Sequence, residues 1–349
     1  MVGSHLRHGM TSRRRYLAGL GLAATLGMAG CTTDLGSGSG GSAPDGTRTS
    51  SGNSSAAQGL SLPVPESELQ RGAAQDAIPA ITDPVFESDW SGYSSEQYGS
   101  ASLSDDDTVI GVARAGEARA YPLRILNWHE VVNDEFGGPL LVTYCPLCGS
   151  GMTAVRKAAG EETVFGVSGL LYRNDLVMYD DATNSLWGQI VATAIRGELT
   201  GETLQLVPSA LTTWGEWQET YPDTVVLRPP PESDTVKDSG DVRDYSRNPY
   251  AGYDESRDIG VGFSGGDYDD DRLHPKTTVI GVGHDGEAVA YPLSAVQNAG
   301  VVNDTVDDLP VVVAATADGT LVAYVRRVDG EAVTFERADE THLQAAGSR

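Results

Sequence analysis

From Asp76 onward the apolar positions fall in short runs broken by glycine, proline, asparagine and aspartate, the pattern of a strand-rich fold. Residues 109–112 and 118–121 read as short strands around a glycine-containing turn. Pro122 is placed to open a helix, because its fixed φ suits the first turn and its missing N–H goes unused there. That helix is expected to run to about Val132 and to stop at Asn133-Asp134. Residues 140–144 read as a strand, with 152–156 pairing back on it, and further strands are expected at 164–167, 176–179 and 224–227. The fold class that follows is α+β, predominantly antiparallel β with few helices. No segment beyond the leader approaches the run of about eighteen apolar residues that a membrane span needs.

The pattern repeats. Thr108-Val-Ile-Gly-Val recurs as Thr278-Val-Ile-Gly-Val, and Gly116-Glu-Ala-Arg-Ala-Tyr-Pro-Leu recurs as Gly286-Glu-Ala-Val-Ala-Tyr-Pro-Leu. Val131-Val-Asn-Asp matches Val301-Val-Asn-Asp, Pro139-Leu-Leu-Val matches Pro310-Val-Val-Val, and Phe165 matches Phe335. In the second copy two apolar runs flank Asp318-Gly319, a strong hairpin signal. An internal duplication of a β-β-α-β-hairpin unit is expected within one domain over 76–337, with repeat one at 108–227 and a shorter repeat two at 278–337. Two copies are too few for a solenoid.

The repeat separates scaffold from chemistry. Asn127-Trp128-His129-Glu130 becomes Gln297-Asn298-Ala299-Gly300, and Cys145-Pro-Leu-Cys148-Gly becomes a plain turn near 316–319. A scaffold that stands without these residues marks them as functional candidates in the first copy.

The N-terminal segment reads differently. Paired arginines in Ser12-Arg-Arg-Arg-Tyr-Leu precede a short Gly/Ala-rich apolar run that closes with Met28-Ala-Gly-Cys31. This resembles a twin-arginine lipoprotein signal over residues 1–31, with the mature chain beginning at a lipid-bearing Cys31. Residues 32–60 are rich in Gly, Ser and Thr and read as a flexible tether. The expected location is the extracytoplasmic face of the cell membrane, with the membrane reached through the lipid.

Composition adds a setting. The 349 residues carry 49 acidic against 24 basic side chains, a net charge of −25, and Lys157, Lys237 and Lys276 are the only lysines. An acidic, lysine-poor surface stays hydrated in concentrated salt, where a Debye length of about 3 Å screens its self-repulsion. This reads as an extreme halophile, with an archaeal source expected. The same charge excludes nucleic acid as a partner. No feature points to a protein partner.

Cys145 and Cys148 are the only cysteines besides Cys31. Two thiolates spaced C-x-x-C at a hairpin turn converge on one ion, and Cys-Pro-Leu-Cys-Gly resembles the knuckles of rubredoxins and zinc ribbons. Only one such knuckle is present. His129, on the helix leading into the hairpin and lost together with the cysteines, is the third ligand expected. Glu130 is either the fourth ligand or a general base beside an open position. Zinc suits the mixed sulfur and nitrogen set; copper is the alternative. His274 is a weaker ligand candidate. Two other readings of the pair stay open. Cys-Pro-x-Cys also resembles the active site of glutaredoxins and disulfide oxidases, although Gly149-Ser-Gly is a poor helix start. A purely structural disulfide, with no cofactor, is the third.

Trp128, Tyr144, Ser168, Arg173, Asp175, Trp187 and Gln189 are candidates to line a pocket around this set. The joined motifs His-Glu-Val-Val-Asn-Asp, Tyr-Cys-Pro-Leu-Cys-Gly, Phe-Gly-Val-Ser-Gly-Leu-Leu-Tyr and Ser-Leu-Trp-Gly-Gln resemble a prokaryotic family catalogued as domain of unknown function 3179, over roughly 76–335. The resemblance implies an extracytoplasmic protein in which the His-Glu and Cys-x-x-Cys motifs travel together. It implies no reaction. Arg173-Asn174 stands where that family more often has Asn-Ser, and Gly188 where Ser is usual.

Overall fold

The computed structural model describes residues 60–236, 242–260, 272–285, 287–316, 319–339 and 342–346. The leader, Cys31, the tether to residue 59, the acidic run 267–271 and Asp318 of the expected hairpin turn lie outside the described residues.

The first strands form where the β-branched runs predict them. Thr108–Arg114 pairs antiparallel with Glu117–Pro122 across Ala115-Gly116, both at positive φ (55° and 85°), as a two-residue hairpin loop demands. Pro122 is the N-cap, and the helix is Leu123–His129. The helix stops earlier than the sequence pattern suggests. Glu130 leaves it at φ 58°, and the β-branched Val131 and Val132 join a strand, Val131–Glu135, instead of extending the helix. Helices are short throughout: the other two described are Trp214–Thr220 and Leu293–Ala299. No helix among the described residues is long and apolar enough to cross a membrane.

Three five-stranded sheets carry the part before residue 236. In the first, Ala210–Thr213, Thr108–Arg114, Glu117–Pro122, Val225–Leu227 and Phe86–Glu87 lie side by side. The second orders Asp234–Thr235, Ile81–Asp83, Val131–Glu135, Pro139–Cys145 and Ser150–Val155. The third orders Leu69–Arg71, Phe165–Tyr172, Asp175–Asp180, Leu186–Gly188 and Thr193–Arg196. All pairings are antiparallel except Val225–Leu227 with Glu117–Pro122 and Ile81 with Val132. The α+β, strand-dominated class is what the chain adopts.

The second sheet is covered on both faces, which is why its strands are apolar at consecutive positions. Leu140, Val142 and Val132 pack into one core with Tyr121, Ile125, Trp214 and Trp217. Leu141, Cys145 and Val131 pack into the other, against Phe165, Leu176, Met178 and Trp187 of the third sheet. The period-two alternation of a strand thus sends Cys145 toward the third sheet.

From Val279 the chain runs through the same order of elements: Val279–His284, Glu287–Pro292, helix Leu293–Ala299, Val301–Val306, Leu309–Ala315 and Leu321–Val325. The shared side chains do shared work. Asn133 and Phe165 exchange two hydrogen bonds, Nδ2 to the carbonyl at 2.9 Å and N–H to Oδ1 at 2.7 Å. Asn303 and Phe335 do the same at 2.8 and 2.7 Å. Tyr121 donates to Asp134 as Tyr291 donates to Asp304.

Candidate functional site

Cys145 ends the Pro139–Cys145 strand, and Cys148 precedes the returning strand Ser150–Val155, so the hairpin turn presents both sulfurs at one point. They are joined as a disulfide, with Cα atoms 5.4 Å apart. The two ends are unlike: Cys145 is 2% exposed, within the second core, whereas Cys148 is exposed.

Facing this hairpin is the turn Tyr172–Asp175 of the third sheet. Tyr172 pairs with Asp175, which leaves Arg173 and Asn174 as a two-residue loop with φ 52° and 69°. This loop brings Asp175 Oδ1 to 3.3 Å from Cys148 Sγ, and the Asn174 carbonyl to 3.9 and 3.8 Å from the two sulfurs. Ligand atoms of Cys145, Cys148 and Asp175 all lie within 4.8 Å of one another. The arrangement holds a disulfide when oxidised, and can offer two thiolates and a carboxylate to a cation when reduced.

His129 does not join the sulfurs. Its Nδ1 meets the Pro79 carbonyl at 2.7 Å, an oxygen that can only accept, so Nδ1 carries the proton. Its Nε2 meets the Tyr245 hydroxyl at 2.7 Å, with the two rings stacked 5.8 Å apart. Both nitrogens are occupied, no lone pair is left for a metal, and the ring is fully buried. The residue that lies with the two sulfurs is Asp175, not the His129 expected from the sequence. His274 is also elsewhere, its Nδ1 accepting from Lys276 N.

The two carboxyls of the site are held partly in their neutral forms. Asp175 is 8% exposed, and burial raises its pKa to about 7 against three backbone N–H donors, from Ile190, Leu176 and Gln189, that pull it down. Glu130 is 7% exposed, and burial, then the charge of Asp175, raises its pKa to about 8. Tyr250 is raised to about 12 by burial and by the charge of Glu130. Tyr144 is raised by burial and by Asp254.

The remaining candidates divide. Gln189 is fully buried and ties the hairpin to the third sheet, donating to Thr143 Oγ1 and the Ser150 carbonyl and accepting from Ser150 Oγ. Trp128 donates to the Arg247 carbonyl at 3.3 Å. Arg173 lies over the Tyr172 ring. Ser168 is committed to a bulge in Phe165–Tyr172, donating to the Val177 carbonyl at 2.5 Å and accepting from Leu170 N. Trp187 is core, edge-on to Phe165 and donating to Asp180. Sequence reasoning missed Asn174, Tyr245, Tyr250 and Tyr253. The signal was three tyrosines within nine residues of an otherwise polar stretch. Elsewhere, a cleft lined by Glu87, Asp89, Arg228 and Glu232 offers little chemistry, because Arg228 is engaged by Glu232 and by the Asp89 and Ser91 carbonyls.

The chain matches a family model described as Protein of unknown function (DUF3179) over residues 75–348, and it belongs to that family. No curated protein and no solved structure matches it.

Proposed function

We propose that this member of the DUF3179 family is a thiol–disulfide exchange protein acting on the extracytoplasmic face of the membrane, tethered through lipid on Cys31. The observation that carries the reading is the pairing of an exposed sulfur, Cys148, with a buried one, Cys145, beside the carboxyl of Asp175.

In the oxidising direction a substrate thiolate attacks Cys148 Sγ, the sulfur of the exposed cysteine. The Cys145–Cys148 bond breaks, and Cys145 leaves as a thiolate that takes a proton. A second substrate thiolate attacks the substrate sulfur of the mixed disulfide. Cys148 then leaves as a thiolate, and the Asp175 carboxyl at 3.3 Å protonates it. Two substrate thiols become one disulfide, and the protein gains two thiols. The reverse sequence reduces a substrate disulfide, with Asp175 taking the Cys148 proton. Export through a twin-arginine signal and an acidic, halophilic surface fit a protein working outside the cell.

A second reading rests on the Cys145, Cys148 and Asp175 group: once reduced, it holds zinc, or copper as Cu(I), with two thiolates and one carboxylate. The two readings separate on one experiment. The purified domain is equilibrated with graded ratios of reduced to oxidised dithiothreitol, with and without zinc, and its thiols are counted by alkylation and mass. Exchange predicts a single two-electron transition reached without metal. A pair that stays disulfide-bonded at every ratio contradicts both readings.

A further inference from the structure

We infer that residues 245–260 form a strap across the disulfide site and that His129 is the positioning residue that latches it there. The inference deepens the exchange reading and rests on it for its purpose, not for its geometry.

Residues 245–260 contain no helix and no strand, yet they are fastened at successive points to the first copy's functional motif. Three consecutive residues, Asn127 to His129, each hydrogen-bond one position of the strap. Asn127 Nδ2 donates to Asn248 Oδ1 at 3.4 Å, and Trp128 Nε1 to the Arg247 carbonyl at 3.3 Å. His129 Nε2 meets the Tyr245 hydroxyl at 2.7 Å, and Tyr250 feels the charge of Glu130. Arg124 Nε adds a bond to the Tyr245 carbonyl at 3.0 Å.

The far end closes on the cysteine hairpin itself. Tyr253 donates to the carbonyl of Leu147, one of the two residues between the cysteines, at 3.1 Å, and accepts from Gly260 N at 2.8 Å. Gly260 sits at φ 70° against Asn174, where a Cβ would come within 1.9 Å of Asn174 Oδ1. Only glycine lets the strap lie that close to the loop carrying Asp175.

Of these contacts the His129–Tyr245 one is buried on both sides, with both rings in the core. It is the anchor, and the others are partly exposed. The internal repeat supports the assignment. The three strap-bonding residues and Glu130 are all replaced in the second copy, as Gln297, Asn298, Ala299 and Gly300, together with the cysteine pair. The turn at Gly300 still forms, at φ 75°, so the scaffold does not need His129 or Glu130. The four residues and the cysteines form one device, in which His129 holds the strap, and the strap covers the carboxyls and braces the turn between the sulfurs.

The test uses the full mature chain and two substitutions, Tyr245→Phe, which keeps the ring and removes the hydroxyl, and His129→Gln, which can restore one hydrogen bond. Tyr291→Phe, which removes the hydroxyl bonded to Asp304 in the second copy, is the control. Hydrogen–deuterium exchange of 245–260 and the rate of Cys145–Cys148 reduction by dithiothreitol are read together. Tyr245→Phe is expected to speed both by about fivefold, the population change from losing one ordinary hydrogen bond. His129→Gln is expected to lie between it and the parent, and the control to change neither. An unchanged strap in Tyr245→Phe overturns the latch. A loosened strap with an unchanged reduction rate overturns the positioning role. Failure to take electrons from any protein dithiol or to give them to any protein disulfide would refute the exchange function instead, and both readouts would still decide the latch, because they report on this chain alone.

Discussion

Replacing Asp175 with Asn keeps the volume and an oxygen for the Ile190 N–H, 3.0 Å away, but removes the charge that faces Cys148. A full charge 3.3 Å from Cys148 Sγ is worth about 5 kcal/mol at an effective dielectric near 20. Cys148 is exposed, so solvent screening cuts that to roughly half, which still corresponds to about 2 pK units. Asp175→Asn is therefore expected to lower the midpoint of Cys148 ionisation by about 2 units relative to the reduced parent. The assay is the pH dependence of iodoacetamide modification of Cys148 in a Cys145→Ser background. The same carboxyl, neutral below pH 7, protonates the departing Cys148 thiolate, so Asp175→Asn slows dithiol oxidation at pH 6 by roughly a hundredfold. A midpoint unmoved by half a unit, or an oxidation rate at pH 6 equal to the parent's, would refute the assignment of Asp175 to Cys148.

Three further outcomes follow from the same geometry. Glu130 binds its proton more tightly folded (about 8) than unfolded (about 4.5), so its contribution is complete at low pH and is lost as pH rises through 8; Glu130→Gln removes that loss, on the order of 3 kcal/mol between pH 5 and pH 9 in denaturant melts. The reduced protein binds zinc with one equivalent per chain and the oxidised protein does not, and Asp175→Asn weakens that binding about tenfold or more in competition with a chromogenic chelator. Gly169→Ala costs at least about 2 kcal/mol by chemical denaturation, because Gly169 sits at φ 73° and a Cβ would lie 2.3 Å from the Ala73 carbonyl oxygen.

The strands were readable because β-branched runs bounded by turn residues carry a local signal, and 109–112, 140–144 and 176–179 all lie within observed strands. The helix end was not, since Val131 and Val132 follow it without a break in apolar pattern and only their pairing with Thr143 and Val142 decides between helix and strand. The cysteine pair was plain, because the similar stretch near 316–319 has no cysteine. Its carboxyl partner stood in the sequence only as one pocket candidate among several, since the two-residue loop at Arg173-Asn174 aims Asp175 at Cys148 from 27 positions away. His129, expected beside the sulfurs, instead bonds the Pro79 carbonyl and the Tyr245 hydroxyl. Its Tyr245 partner lies 116 positions along the chain, and no local pattern encodes that contact.

The central claim is that Cys148 is the sulfur a substrate attacks and Cys145 the one that resolves. Single-cysteine variants of the mature domain, incubated with a protein dithiol and its disulfide and analysed by non-reducing mass spectrometry, test it directly. The account predicts that Cys145→Ser accumulates a mixed disulfide at Cys148, while Cys148→Ser, left with the buried Cys145, accumulates none. Equal trapping in the two variants, or trapping through Cys145 alone, would contradict it.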